Sequence, residues 1–248
     1  MSWSRLRLSE RRDAVMQKIN RGLDMADYAL CRLGVCSFPT WQTFLASDTR
    51  QLYAGKLRRG LPQYSTHFGI TPFYASTRNI HQDVTLPFRI PDDCVDAFQS
   101  EDVFEHIDYA KLASVFKEIY RVLVPGGLFR LSLPDYNFDL YAERCQRGLN
   151  GEFVFDPSGG GRLVDGTVVD GGHVWFPTID SVKRLFSHSP FGLGINVHLL
   201  QYNNPDGTFQ MSPIDYSLGN IQRTPDHDVR VRDRPRPISI VVDAFKPQ

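Results

Sequence analysis

Within six residues, Glu101-Asp102-Val103-Phe104-Glu105-His106, the chain gathers carboxylates and an imidazole. Neutral imidazole takes a proton near pH 7, so His106, with Glu105 beside it, is the candidate general base. The plainer reading is a helix start, where acids oppose the positive end of the helix dipole. Asp135 and Tyr136 directly follow an apolar run and form a second candidate pair for ligand contact. Arg162, after Gly159-Gly160-Gly161, could grip a phosphate or carboxylate through forked hydrogen bonds, or stand on an exposed hairpin. His173, near Trp175, either lines an acceptor pocket or is a satisfied core histidine. Asp226-His227-Asp228 offers oxygen and imidazole donors to a divalent metal, or is a solvated loop.

These residues need elements to place them. Ile80 to Val84 reads as a short strand ending on Asp83, and Val95 to Ser100 as a second, buried one. Asp108 is positioned to cap a helix in which Leu112, Val115, Phe116, Ile119, Tyr120 and Leu123 form one apolar face. Pro125-Gly126-Gly127 ends it, and Leu128 to Leu133 returns as a strand. Strand, helix and strand in that order make a right-handed parallel crossover. Ligands of such open sheets sit outside the carboxyl ends of the strands, where Asp83, Ser100-Glu101 and Asp135-Tyr136 fall.

Around this centre, Gln51 to Gly55 reads as a short strand and Thr66 to Ala75 as another. Phe138 to Arg147 is helix-like. Leu163 to Val169 is a hairpin turning at Asp165-Gly166, and Thr178 caps a helix through Ser187. Ile195 to Tyr202 and Ile238 to Phe245 are the last strands. Pro213 to Pro237 between them is a long polar loop, a length that is usually functional or disordered. Residues 9 to 34 read as a helix stopped by Gly34, which packs on the domain edge, covers a pocket as a lid, or makes a homodimer contact. The organisation expected is an N-terminal helical extension over 1–35 and one domain over 36–248, with a hairpin insertion near 150–172 and the loop near 213–237.

With 28 Lys+Arg against 28 Asp+Glu, nothing global draws the chain to nucleic acid or to an anionic membrane. Cys31, Cys36, Cys94 and Cys145 form no C-x-x-C pair, so no zinc or redox motif is expected. The first residues are charged, no membrane-spanning run follows, and a cytoplasmic location is expected.

Asp83-Val84-Thr85-Leu86-Pro87-Phe88, the run Val95 to His106, and Tyr120-Arg121-Val122-Leu123-Val124-Pro125-Gly126-Gly127-Leu128 resemble the later motifs of class I S-adenosylmethionine-dependent methyltransferases. They are most similar to the type 11-like group often found with cell-surface polysaccharide genes. His173 with the helix near 179 to 187, and Ser239 to Lys246 at the end, resemble that group too. The resemblance implies an α/β fold: a doubly wound, mostly parallel, Rossmann-like sheet with an antiparallel edge strand. It implies S-adenosylmethionine as cofactor and methyl transfer to oxygen or nitrogen of a small polar acceptor, such as a sugar or nucleotide-sugar. It places Asp83 at the adenine amino group, Val84 beside the ring, and Ser100 and Glu101 beside the methionine part. Glu105 and His106 match the E-H pair that opens the next helix, while Asp135, Tyr136, Arg162 and His173 stay acceptor candidates from their own chemistry and position. The departure lies in the first glycine motif. Of Leu52 to Gly60 only Gly55 fits it well, with Tyr53 and Ala54 before it as candidate cofactor contacts, and the second strand lacks its closing acid. Gly55 with Arg58 and Arg59 is then the substitute cradle, or the fold is kept as a binding or regulatory module without cofactor. A different enzyme using Asp226, His227 and Asp228 as metal ligands is the third reading.

Overall fold

A computed structural model describes residues 23, 25–26, 28–55, 57, 62–73, 76–231 and 233–248. The first part of the expected N-terminal helix, the turn at Lys56 and Arg58 to Gly60, and the end of the strand expected through Ala75 lie outside them. Residues 28–32 (α1) are helical, and Gly34 follows at φ +77°. Trp41–Leu45 (α2) begins on a capping box between Thr40 and Thr43.

The core is an eight-stranded sheet. β1 (Gln51–Ala54), β2 (His67–Thr71), β3 (Asn79–His81), β4 (Val95–Glu101) and β5 (Leu123–Pro134) run parallel, side by side as β3-β2-β1-β4-β5. β12 (Ser239–Phe245) joins β5 antiparallel, β10 (Val197–Asn203) pairs with β12, and β11 (Phe209–Met211) closes the edge antiparallel to β10. The expected mostly parallel α/β sheet with an antiparallel edge is therefore present. β12 also runs antiparallel inside the sheet, and the sequence did not announce β11, whose three residues are all exposed.

One crossover carries a full-length helix between neighbouring strands. α3 (Tyr109–Val122) links β4 to β5, with the Asp108 carboxylate accepting from the Ala110 amide. It buries Leu112, Val115, Phe116, Ile119 and Val122. The helix stops one residue earlier than its apolar spacing implies, because Leu123 is already extended and pairs with Val95. α4 (Asp139–Arg144), the pair β6 (Gln146–Arg147) and β7 (Phe153–Phe155), and the hairpin β8 (Arg162–Val164) and β9 (Thr167–Val169) follow β5. Asp165 and Gly166 both have positive φ, the geometry of a tight two-residue hairpin turn. α5 (Ile179–Ser187) starts on the expected Thr178, again with a capping box, and buries Ile179, Val182, Leu185 and Phe186.

The two faces of the sheet are covered differently. Leu52, Phe98, Phe129, Leu131 and Val242 point toward α2, α3 and α5 and form the main core with Phe44, Phe116 and Phe186. Burying each such side chain stabilises the fold by roughly 1.5–3 kcal/mol. On the opposite face no α-helix follows β1, β2 or β3 among the described residues. Two segments whose described residues form no α-helix lie there instead. Leu57 and Tyr64 pack on Tyr53, and Ile214 and Ile221 pack on Val241. The loop expected over 213–237 is thus a strap on the sheet, shaped by two 3-10 turns at Tyr216–Leu218 and Val229–Val231.

Candidate active site

The carboxyl end of β4 is where the strap and the polar cluster meet. Arg130, buried on β5, donates to both Asp243 oxygens at 2.7 and 2.6 Å and to the carbonyls of Asp215 and Gly219 at 2.8 and 2.5 Å. Gln99 donates to the Asn220 carbonyl, which also accepts from the Tyr64 hydroxyl at 3.1 Å. Gly219 sits at φ +142°, and a Cβ there would come within 2.5 Å of Gln99 Oε1, so the strap needs glycine at this crossing. Glu101 then accepts the amides of Gln222 and Arg223, both at 2.8 Å, and the Arg223 guanidinium pairs with Asp102.

Burial, with Asp102 adding repulsion, outweighs those amides and pushes the Glu101 carboxyl up to about 7. Asp102 is held at φ +53°, an uncommon conformation for a non-glycine residue and a sign of local constraint.

Past Asp102 the chain makes the single 3-10 turn Phe104–His106. The helix start expected from the acids is this turn, and α3 begins only after it. Two hydrogen bonds tie it to residues 173–175: Val174 N–H donates to the Glu105 carbonyl at 2.9 Å and Trp175 Nε1 to the Phe104 carbonyl at 2.8 Å. These bonds bring Glu105, His106 and His173 together. Their ligand-capable atoms all lie within 4.8 Å of one another. The Glu105 carboxyl is fully buried, and neither of its oxygens has a hydrogen-bond partner. It stands 3.6 Å from His173 Nε2 and 3.9 Å from His106 Nε2. The two imidazoles meet edge to face with centroids 4.7 Å apart. Burial, with Asp102 adding, holds the Glu105 carboxyl well above the usual carboxylate range. Burial, with His106 adding, pulls His173 down to about 3, so its imidazole is neutral at pH 7.

Behind His173 lies a fixed chain of partners. Its Nδ1 is 2.5 Å from the Tyr136 hydroxyl, which donates to Asp156 at 2.7 Å, and Asp156 in turn takes Arg144 at 2.5 Å. Because the tyrosine proton goes to Asp156, Nδ1 carries the imidazole proton and Nε2 keeps its lone pair. Gly159 makes room for the ring, since a Cβ there would meet it at 2.7 Å.

The remaining sequence candidates divide. Asp83 is half-buried and folds one oxygen onto the Thr85 amide and hydroxyl at 2.9 and 2.8 Å, with Val84 buried behind it. Ser100 is buried with its hydroxyl unpartnered. Tyr53 and Ala54 are buried in β1, and Gly55, at φ +106°, lies where a Cβ would press Val103 at 2.9 Å. That glycine answers a close packing contact. Two readings are corrected. Asp135 is not free for a ligand: it is fully buried, and its oxygens accept from the Asn137 amide at 3.0 Å and from Asn203 backbone and side chain at 2.6 and 2.9 Å. Tyr136, fully buried, holds His173 and offers no surface to an acceptor. Arg162 stands exposed on the hairpin and is paired with Asp170 at 2.7 Å. The loop reading of Asp226, His227 and Asp228 as a metal site also fails. Asp226 accepts from the Tyr216 hydroxyl, His227 Nδ1 bonds the Ile221 carbonyl, and Asp228 accepts from Nε and Nη2 of Arg230. Among the described residues the group able to share an ion is Glu105, His106 and His173. Each of the three was conspicuous by itself. Their convergence was not, because His173 is brought in from beyond β5.

Residues 68–131, from β2 through most of β5, match the family model described as "Methyltransferase domain" (type 11). That stretch of the chain is similar to a type 11 methyltransferase domain. The enzyme class and S-adenosylmethionine as methyl donor go with that domain. No curated protein matches the chain. Among solved structures it is similar to a methyltransferase from Archaeoglobus fulgidus at 12% identity, covering 94% of this chain and 98% of that one with TM-score 0.45. It is also similar to one from Mesorhizobium loti at 16% identity, covering 83% and 96% with TM-score 0.44. At these scores the similarity adds nothing to what the strand order already shows. No helix among the described residues is long and apolar enough to cross a membrane.

Proposed function

We propose that this methyltransferase domain acts on an oxygen or nitrogen of a small polar acceptor, with sugars and nucleotide-sugars as the class to test first. The observation that carries the reading is the buried Glu105-His106-His173 cluster just beyond β4, one turn from the strand end where the cofactor crevice of such sheets lies. The sugar class rests on the likeness of residues 80 to 200 to the polysaccharide-associated group.

S-adenosylmethionine supplies an electrophilic methyl group on a sulfonium. The residues that would hold it are those at the carboxyl ends of the first strands: Tyr53 and Ala54 at the end of β1 with Gly55 after it, Asp83 and Val84 after β3, and Ser100 and Glu101 on β4. The amides of Gln222 and Arg223 on Glu101 make the strap one wall of the β4 end. His106 is the exposed member of the cluster, and its side chain makes no hydrogen bond to a described residue. It is placed to meet an acceptor hydroxyl or amine and take its proton as the methyl arrives. Positioning of the acceptor in line with the sulfonium supplies the larger part of the rate.

Calorimetric titration with S-adenosylmethionine and with its demethylated product tests the reading. Binding is expected in the micromolar range, weakened by Asp83→Ala. No heat at high micromolar ligand would leave a methyltransferase scaffold that serves as a binding or regulatory module. His106→Ala is expected to keep cofactor binding and lower kcat on the right acceptor by about 10²–10⁴.

A further inference from the structure

We propose that Glu105, His106 and His173 form a binding site for a divalent first-row transition ion, of which Zn²⁺ is the probe. Metal binding stands on the geometry alone and does not depend on the acceptor proposed above.

The Glu105 carboxyl is the first argument. Both oxygens are buried without a hydrogen-bond partner. Such a group costs several kcal/mol unless something compensates it, and native proteins rarely leave one so. Protonation would not resolve this, since the acid hydrogen would then lack an acceptor. The nearer of the two imidazole nitrogens, His173 Nε2, is 3.6 Å away, too far for a hydrogen bond. That distance suits two ligands of one cation. Tetrahedral bonds of about 2.0–2.2 Å place ligand atoms roughly 3.3–3.6 Å apart. His106 Nε2, at 3.9 Å from the same carboxyl, comes within range by a small turn of an exposed side chain.

The surroundings of His173 are the second, independent argument. A metal-bound histidine usually gives its other ring N–H to an oxygen that is itself hydrogen-bonded, which fixes the tautomer and aims the lone pair. His173 has this arrangement: Nδ1 to Tyr136, Tyr136 to Asp156, and Asp156 to Arg144. Its free Nε2 faces Glu105. Two imidazoles and one carboxylate form the donor set of catalytic zinc and of non-haem iron sites, which keep further positions open. Here the open positions lie on the side of His106, where an acceptor hydroxyl would enter. With the ion bound, His106 is a ligand in place of the base role given above; the cation acidifies the acceptor hydroxyl, whose proton leaves to solvent.

The test uses the full chain, stripped with a chelator and without S-adenosylmethionine, so its failure is separate from failure of the methyltransferase reading. Zn²⁺ is titrated by calorimetry and Co²⁺ by visible absorption. One ion per chain at micromolar affinity or tighter is expected, with ligand-field bands and no thiolate charge-transfer band. The missing band separates this site from Cys31 and Cys36, whose thiols lie in contact. Glu105→Gln and His106→Ala should each weaken binding at least tenfold. Tyr136→Phe, which touches the ion only through His173, should weaken it about 10- to 100-fold. His188→Ala, exposed and remote in sequence, should change nothing. His106 is a surface residue, so its variant folds even if a buried substitution does not. Absence of micromolar binding, or binding that survives both Glu105→Gln and His106→Ala, would overturn the proposal.

Discussion

Two rows of side chains cross the same strands one residue apart and have opposite chemistry. Leu52, Phe98, Phe129 and Ala244 are neighbours across β1, β4, β5 and β12, and so are Tyr53, Gln99, Arg130 and Asp243. Because strand side chains alternate, the first row faces the helices and the second faces the strap. The helix side is apolar and non-directional, and its stability scales with area. The strap side has few apolar contacts and is organised by directed hydrogen bonds to backbone carbonyls. A helix satisfies its own backbone and can lie on an oily surface. A strap without regular structure brings unpaired carbonyls, and the sheet must supply donors for them. Arg130 and Gln99 are those donors.

Deletions in the two rows should cost similar amounts for different reasons, and repair should tell them apart. Phe129→Ala and Asp243→Ala are each expected to lower unfolding free energy by about 3–5 kcal/mol, the first through a cavity and the second by stranding the buried Arg130 charge. Replacing the pair together, Arg130→Met with Asp243→Leu, should recover most of the second loss. A remainder of about 1–2 kcal/mol should persist, since the Asp215 and Gly219 carbonyls lose their donor. Chemical denaturation of the three variants checks this. Full recovery would mean the strap is held by apolar packing, as the helices are.

The next largest effect is pH-dependent and confined to the strap side. The Glu101 carboxyl, near 7 when folded against an ordinary value of 4.5, binds its proton more tightly in the native state. Stability from this group is full below about pH 4.5 and is lost as pH rises through 7, by about 3 kcal/mol in all. Glu101→Gln should remove that decline in urea titrations between pH 5 and 8. His67 on the same face acts in the opposite sense. Burial, with Arg78 nearby, pulls it to about 4, so stability falls as pH drops from 6.5 through 4. A variant Glu101→Gln with an unchanged pH profile would mean the strap amides hold the carboxylate charged. Tyr64→Phe gives the smallest effect, about 1 kcal/mol, for the hydrogen bond to the Asn220 carbonyl. A loss well above that would show the two covering segments to be one cooperative unit.

The helix side was legible in the sequence, and the strap side mostly was not. The stripe from Leu112 to Val122, the caps Asp108 and Thr178, and the turn Asp165-Gly166 are local signals, each complete within a few residues. The strap is attached through its backbone, at Asp215, Gly219, Asn220, Gln222 and Arg223, and every residue has a backbone. No residue type in Pro213 to Pro237 announces such contacts, so a polar, proline-marked stretch read as a plain loop. Arg130 was hidden for a related reason. An arginine on a strand reads as solvent-facing unless its partner is known, and Asp243 lies 113 positions away. At the candidate site, Glu105, His106 and His173 each stand out in the sequence, but only the pairing of Phe104 and Glu105 with Val174 and Trp175 closes them into a group.

Attachment by backbone sets unequal rules for change along the strap. A side chain at Ser217, Leu218 or Gln222 can be exchanged while the carbonyls and amides stay where the sheet expects them. One residue added or removed between Asp215 and Arg223 would move each anchor out of step with Arg130, Gln99 and Glu101 at once. In this segment length is the constrained quantity, and Gly219, the buried Ile221 and Arg223, paired with Asp102, add demands on identity.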